Sequence, residues 1–228
     1  MSNLVAGRET GPGRRQQLAM TTAQRTAFTP SVGQPVWDTD TSELYEGDGS
    51  TAGGVSVSGA LARLQQEVVT SPVAFVDFDF PAGYTAFKIA ISNMHVTSDP
   101  QDVDLRFSND GGSSFITSAS YKWQRHLLNS NGGESISSSN GSSLIRVSGE
   151  LGNLSSESLS GFIDIFDPRD SSSIPRLTYH ITLTDDVGLS TNVIGSGQYN
   201  NQGDFNAIRI FPNNTFDGGT FTLYGYKG

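Results

Sequence analysis

Acidic side chains are the first candidates for chemistry in this sequence because they recur in close pairs: Asp77 with Asp79, Asp102 with Asp104, Asp164 with Asp167, and Asp185 with Asp186. Residues two apart on a strand share one face, so such a pair can hold a cation or, at suitable separation, serve as the two carboxyl groups of a glycosidase. At Asp77 and Asp79 the alternating Val76, Phe78 and Phe80 already supply a buried face, which turns both carboxylates toward solvent. EF-hand spacing is absent, and His95, His126 and His180 show no HExxH spacing. No serine lies in a Gly-x-Ser-x-Gly elbow, and the glycine-rich GDGSTAGG lacks the lysine of a phosphate cradle. The chain has no cysteine, which removes thiolate nucleophiles, disulfides and cysteine zinc sites. The expectation is a protein with no catalytic residues, no metal site and no cofactor.

Aromatic residues beside polar loops are the remaining chemical signal. Sugar recognition uses an aromatic platform flanked by Asn, Asp and Gln. Tyr199 with Asn200, in GSGQYNNQGD, and Tyr121 and Trp123, in SYKWQ, are the candidate ligand-binding residues. Core packing is the competing reading for Trp123, and Tyr199 is expected to be exposed. The segment SNDGGSSF carries Ser108, Asp110, Gly112 and Phe115 in the Ser-x-Asp-x-Gly-x-x-aromatic order of an Asp box. That pattern resembles one in sialidases and other β-proteins, and the resemblance implies a hairpin turn, not catalysis.

Composition bounds the partners. With 23 acidic and 14 basic residues the formal charge is −9, which repels phosphate backbones and argues against nucleic acid. No apolar run long enough for a membrane span occurs, and the N-terminus lacks the apolar core of a signal peptide. A cytosolically made, cysteine-free chain patterned like an adhesion module suits a particle released by lysis.

These candidates need elements to position them. Residues 1–17 carry Arg8, Arg14 and Arg15 among glycines with little to bury, and read as an extended arm that can dock on an acidic surface. TTAQRTAF offers a Thr N-cap and helix formers before Pro30, which predicts one short helix. PVWDTDTSELYEGDG predicts a small hairpin pairing Val36 and Trp37 with Leu44 and Tyr45 across the DTDTSE turn. GALARLQQEVV places Leu61, Leu64 and Val68 at helical spacing, a stripe that packs on the rest of the chain or on copies of itself.

From Pro72 the pattern has period two. VAFVDFDFPAG, FKIAISNMHV, VDLRFSNDGGSSF, SLIRVSGEL, SGFIDIFDP, RLTYHITLTD, NAIRIFP and GGTFTLYGYKG predict eight strands of an antiparallel jelly-roll-like β-sandwich. The polar stretch from Leu127 to Ser143 reads as a long mobile hairpin loop. Recognition is expected on that loop and on the turn around Tyr199. The chain is therefore mainly β, with an N-terminal part over residues 1–55, a short helical connector over 56–71 and a sandwich over 72–228.

The segment GQPVWDTDTSELYEGDGSTAGG resembles the short β-prism-like module at the N-terminus of phage tail-fibre and tropism-determinant proteins. The matching positions are Gly33, Pro35, Val36, Asp38, Thr39, Asp40, Thr41, Leu44, Tyr45, Gly47, Asp48, Gly49, Gly53 and Gly54. The closing Leu223, Tyr224 and Gly225 are similar to the last strand of β-sandwiches in phage structural proteins. The resemblance implies a homotrimeric virion protein, anchored to tail or capsid proteins through Arg14, Arg15, Val36, Trp37, Leu44 and Tyr45, with Leu61, Leu64 and Val68 at the trimer contact. A tail fibre or receptor-binding protein that recognises a host surface glycan is the first expectation. A head fibre or capsid decoration protein without a ligand is the second, and a polysaccharide-degrading tail enzyme the third.

Overall fold

A computed structural model describes residues 18–41, 43–57 and 61–227. Arg14, Arg15 and the expected arm lie outside the described residues. The chain forms two compact units, residues 1–59 and 60–228.

The first unit is a four-stranded sheet. β1 (Leu18–Met20) runs parallel to β2 (Pro35–Asp38), which pairs antiparallel with β3 (Glu43–Glu46), and β3 pairs with β4 (Val55–Ser56). Between β1 and β2 lies α1 (Thr22–Thr26), the helix expected from TTAQRTAF. Thr21 accepts from the Gln24 N–H while the Gln24 side chain accepts from the Thr21 N–H, a capping box that fixes the first turn.

Asp38 is fully buried and accepts hydrogen bonds from Arg25 Nε at 2.8 Å, from Thr22 Oγ1 and from the N–H groups of Asp40 and Thr41. Burial pushes its pKa up, but these donors outweigh burial and hold it at about 2. Arg25 also lies 3.6 Å over the Tyr45 ring and donates to the Gly53 carbonyl. Val36 is buried, whereas Trp37, paired across the hairpin with Leu44, is on the open side.

The second unit is a β-sandwich-type fold of β5 (Leu61–Val69), β6 (Val76–Asp79), β7 (Ala86–Val96), β8 (Val103–Ser108), β9 (Tyr121–Asn129), β10 (Glu134–Ser142), β11 (Ile145–Arg146), β12 (Leu159–Phe166), β13 (Arg176–Thr184), β14 (Ser190–Tyr199), β15 (Ala207–Pro212) and β16 (Phe216–Tyr226). One sheet has eight strands in the order β10-β9-β14-β13-β12-β7-β16-β5, and the other has four in the order β11-β8-β15-β6. Every pairing in this unit is antiparallel. Apolar side chains at alternate positions of both sheets form one core, from Phe87, Ile89 and Ile163 on the large sheet to Leu105, Phe107 and Ile208 on the small one. A jelly roll divides eight strands between two sheets, and here the division is eight and four.

All eight strands read from the period-two pattern are present as β6, β7, β8, β11, β12, β13, β15 and β16. Two expectations are corrected. Leu61–Val69 is not a helix but strand β5, paired along β16 from Tyr226↔Leu61 to Gly219↔Val69. A three-turn helix is marginal by itself, whereas an unpaired β16 would leave its outward N–H and C=O groups without partners. No coiled-coil stripe results: Leu64 packs partly on the core, and Leu61 and Val68 are exposed. The large sheet thus includes β5 from Leu61 on, ahead of residue 72.

The segment 127–143 is likewise not a loop. Most of it belongs to the β9–β10 hairpin, with Glu134↔Leu128 to Ser139↔Trp123 in register and a tight turn at 130–133. Backbone pairing is indifferent to the serine side chains, so a polar edge strand carries almost no sequence signal.

β14 was also hidden, by its glycines. A Cβ at Gly195 would collide with the Tyr179 hydroxyl and the Gln124 carbonyl, and one at Gly197 would come within 2.6 Å of Ile145. These two positions leave room for the Tyr179 ring of neighbouring β13 and for the Ile145 side chain. Gly195→Ala is expected to destabilise by about 1–3 kcal/mol through overpacking, lowering Tm by roughly 2–10 °C, while Gly141→Ala, whose Cβ makes only ordinary contact, leaves Tm unchanged in calorimetry. A chain starting at residue 60 should unfold cooperatively in urea. One starting at residue 72 lacks β5 and should unfold at lower urea and aggregate through the bared β16 edge.

Candidate binding groove

The outer face of the large sheet, turned away from the core, is where side chains of chemical interest collect. Strand register puts Lys122, Gln198, Arg176 and Phe166 in one row across β9, β14, β13 and β12, through the pairs Gln198↔Lys122, Arg176↔Gln198 and Phe166↔Arg176. The next row holds Ser138, Gln124, Ser196 and Thr178. Together these residues line an open hollow of about 560 Å³, closed on the β10 side by Ser139 and Asn140. Phe166 is 44% exposed there, an apolar platform beside amide and hydroxyl groups. Gln124 Nε2 donates to Ser196 Oγ, and Gln198 Nε2 donates to the Asn200 side chain.

A second hollow of about 330 Å³ adjoins it through Gln124 and Ser196 and is lined by His126, Ile136 and Ile194. His126 and His180, far apart in sequence, flank Ile194 in one cross-strand row. His126 Nε2 lies 2.9 Å from Glu134 Oε1.

Three of the four sequence-derived ligand residues land elsewhere. Tyr199, expected on an exposed turn, is 8% exposed and packs against Tyr121 and Phe205 with ring centroids 4.9 and 5.3 Å away. Tyr121 is fully buried: its hydroxyl accepts the Phe107 N–H and donates to the Ile116 carbonyl. Both belong to the core because, as odd-numbered residues of β9 and β14, they sit on its side of the sheet. Asn200 is exposed, with its N–H donated to the Ser120 carbonyl.

Trp123 borders the hollow, yet it alternates with Lys122 and Gln124, and its ring packs partly on the core with Arg125 5.8 Å away. The groove's residues come from strands, and Ser138, Ser139 and Asn140 among them belong to the segment expected to carry recognition, which is strand β10 and not a loop. The signal that finds them is the outer half of each alternation, Arg176, Thr178, His180 and Thr182 on β13 and Phe162 and Phe166 on β12. Apolar residues on both faces of β12 mark an outer face used for contact.

At least one member of each carboxylate pair is tied into the scaffold. Asp77 pairs with Arg209, whose guanidinium is sandwiched between Phe75 and Phe115. Asp164 pairs with Lys88, and Asp185 caps its own turn by accepting from the N–H groups of Val187 and Leu189. Asp110 of the Asp box accepts from Ser114 and Ser108, which keep its pKa down at about 2, and the segment is the turn that the pattern implies.

Asp102 and Asp104 share Arg146, and Arg125 adds a second cation to Asp102. Asp104 is fully buried with Oδ2 unpartnered, and burial pushes its pKa up to about 6 against the pull of Arg146. A raised folded pKa means that the folded state holds this proton more tightly than the unfolded chain does. Stability therefore falls as pH rises from about 4 to about 6, by on the order of 2–3 kcal/mol. Carboxylates with lowered pKa, such as Asp110, act below that window. Urea titrations between pH 4 and 7 should show this loss, and Asp104→Asn should flatten most of it.

Comparison of the chain with protein-family models and with curated proteins finds no match.

Proposed function

We propose that this chain is a bacteriophage virion structural protein, a trimeric short fibre or spike whose sandwich binds a saccharide on the host surface. The observation that carries the binding half is the groove itself: an exposed Phe166 beside Gln124, Gln198, Ser196 and Asn140 on a rigid sheet. An apolar ring with convergent amides and hydroxyls suits the apolar face and hydroxyl edge of a sugar. Binding without cleavage is supported by the carboxylates, because none lines the groove and Asp77, Asp102, Asp104, Asp164 and Asp185 are engaged by arginine, lysine or backbone N–H groups.

The virion half rests on the resemblance of residues 33–54 to the fibre module. The hairpin expected from that segment is formed, and Trp37 with Leu44 on its open side is suited to a partner surface. Trimerisation rests on the same resemblance, since Leu61, Leu64 and Val68 no longer supply a helical seam. Single saccharide contacts are weak, and three heads on one particle site would raise avidity on the order of a hundredfold.

Light scattering of the purified chain should give a trimer mass at micromolar concentration. Phe166→Ala is expected to cut host adsorption several-fold while leaving that mass and the Tm unchanged. Unchanged adsorption, with antibody label on the capsid in electron micrographs, would instead support a head fibre or decoration protein.

A further inference from the structure

We propose that the saccharide taken by this groove is anionic, with a carboxylate or phosphate held between Lys122 and Arg176. The inference rests on the reading of the groove as a saccharide site and adds the charge of its ligand.

The chain carries 23 acidic and 14 basic residues, yet no Asp or Glu lines the groove. Its two cations are also unspent, a state that among the described residues they share with Arg63 on β5, at the far edge of the large sheet. Arg25, Lys88, Arg125, Arg146, Arg169 and Arg209 each pair with a carboxylate. Among the described residues Lys122 and Arg176 have neither an ion pair nor a side-chain hydrogen bond. The one carboxylate on the same face of β12, Asp164, is held by Lys88 at 2.6 Å.

Register brings Lys122 and Arg176 to one place. Both pair across to Gln198, so they stand two strands apart, about 10 Å between backbones. Their long side chains can close on a single acid group over the Gln198 amide. In an acidic protein two unpaired cations on one row repel each other, and an anion between them converts that repulsion into charge-assisted hydrogen bonds. Arg176 supplies the planar fork for a carboxylate or phosphate, and Phe166, its cross-strand neighbour, supplies the surface for the sugar ring. The same groove could accept an acidic protein segment, and the experiment separates that outcome.

The full chain is applied to an array of bacterial surface polysaccharides. Each bound polysaccharide is tested again after its uronates are reduced to alcohols, and separately after its phosphates are removed. Binding should be confined to anionic members and fall at least about tenfold after one of the two treatments, which identifies the acid. Lys122→Gln combined with Arg176→Gln should cause a loss of similar size without changing Tm, and Lys122→Arg alone, which keeps the charge, should retain most of the binding. Equal binding to treated and untreated polysaccharides, unaffected by the double substitution but abolished by Phe166→Ala, would overturn the anionic inference and leave the saccharide reading standing. No binding to any member, with host adsorption unchanged in both the double and the Phe166→Ala variants, would overturn both. Loss of virion assembly in the double variant, with no polysaccharide bound, would assign the groove to an acidic protein segment and overturn the inference.

Discussion

Burial of one face of an eight-stranded sheet by a sheet of only four strands is the constraint on which the rest of the sandwich depends. The small sheet cannot cover so wide a surface with strand pairs alone, so large side chains and hydroxyls bridge the gap. Tyr121 on β9 reaches β8, where its hydroxyl takes the Phe107 N–H. Tyr179 on β13 reaches the carbonyls of Gln124 and Arg146. Each hydroxyl satisfies a backbone group that the sheets leave inside the molecule, where an unmade hydrogen bond costs more than a made one contributes. The Tyr121 ring, with Phe107, Tyr199 and Phe205, forms the contiguous aromatic packing at this end of the core. Tyr199 is consumed by that task, which explains why it is unavailable to a ligand.

The same constraint frees the opposite face. Within the second unit no described strand covers the outer face of the large sheet across β10, β9, β14, β13 and β12, and it is there that Phe166, Lys122 and Arg176 align. Strand register fixes the spacing of these groups to within the geometry of the sheet. Glycines at 195 and 197 let the core close tightly beneath the groove. A site built on such strands is organised before a ligand arrives, which lowers the entropy of binding compared with a mobile loop.

The N-terminal unit solves a different problem. It is small and has little apolar surface to bury, so its order is concentrated on a polar centre. Asp38 collects the helix through Thr22 and Arg25 and the hairpin turn through Asp40 and Thr41, and Arg25 extends the centre to Tyr45 and Gly53. A buried acid and base of this kind tolerate few alternatives, because removal of either leaves the other unpaired. The Asp-Thr-Asp-Thr turn and the spaced glycines are the outward sign of that centre.

What the sequence by itself determined was every element whose identity is written in side-chain chemistry. The capped helix at Thr21, the hairpin from Val36 to Tyr45, the Asp box turn and the eight strands with alternating apolar residues were all legible, because a buried face or a turn demands particular residues. What only the tertiary structure decided were the strands β5, β9, β10 and β14, which lie toward the two ends of the large sheet. Their backbones pair with neighbours already in place, so LARLQQEVV could be a strand despite its helical spacing, and ESISSSNGS one despite its serines. Exposure of Tyr199 and the helical seam at Leu61, Leu64 and Val68 were misread for this reason, since each inference assumed the wrong local element. The groove was out of reach for a further reason. Lys122, Phe166, Arg176 and Gln198 come from four strands distributed along the chain, and only the antiparallel register, set by the whole sheet, places them side by side.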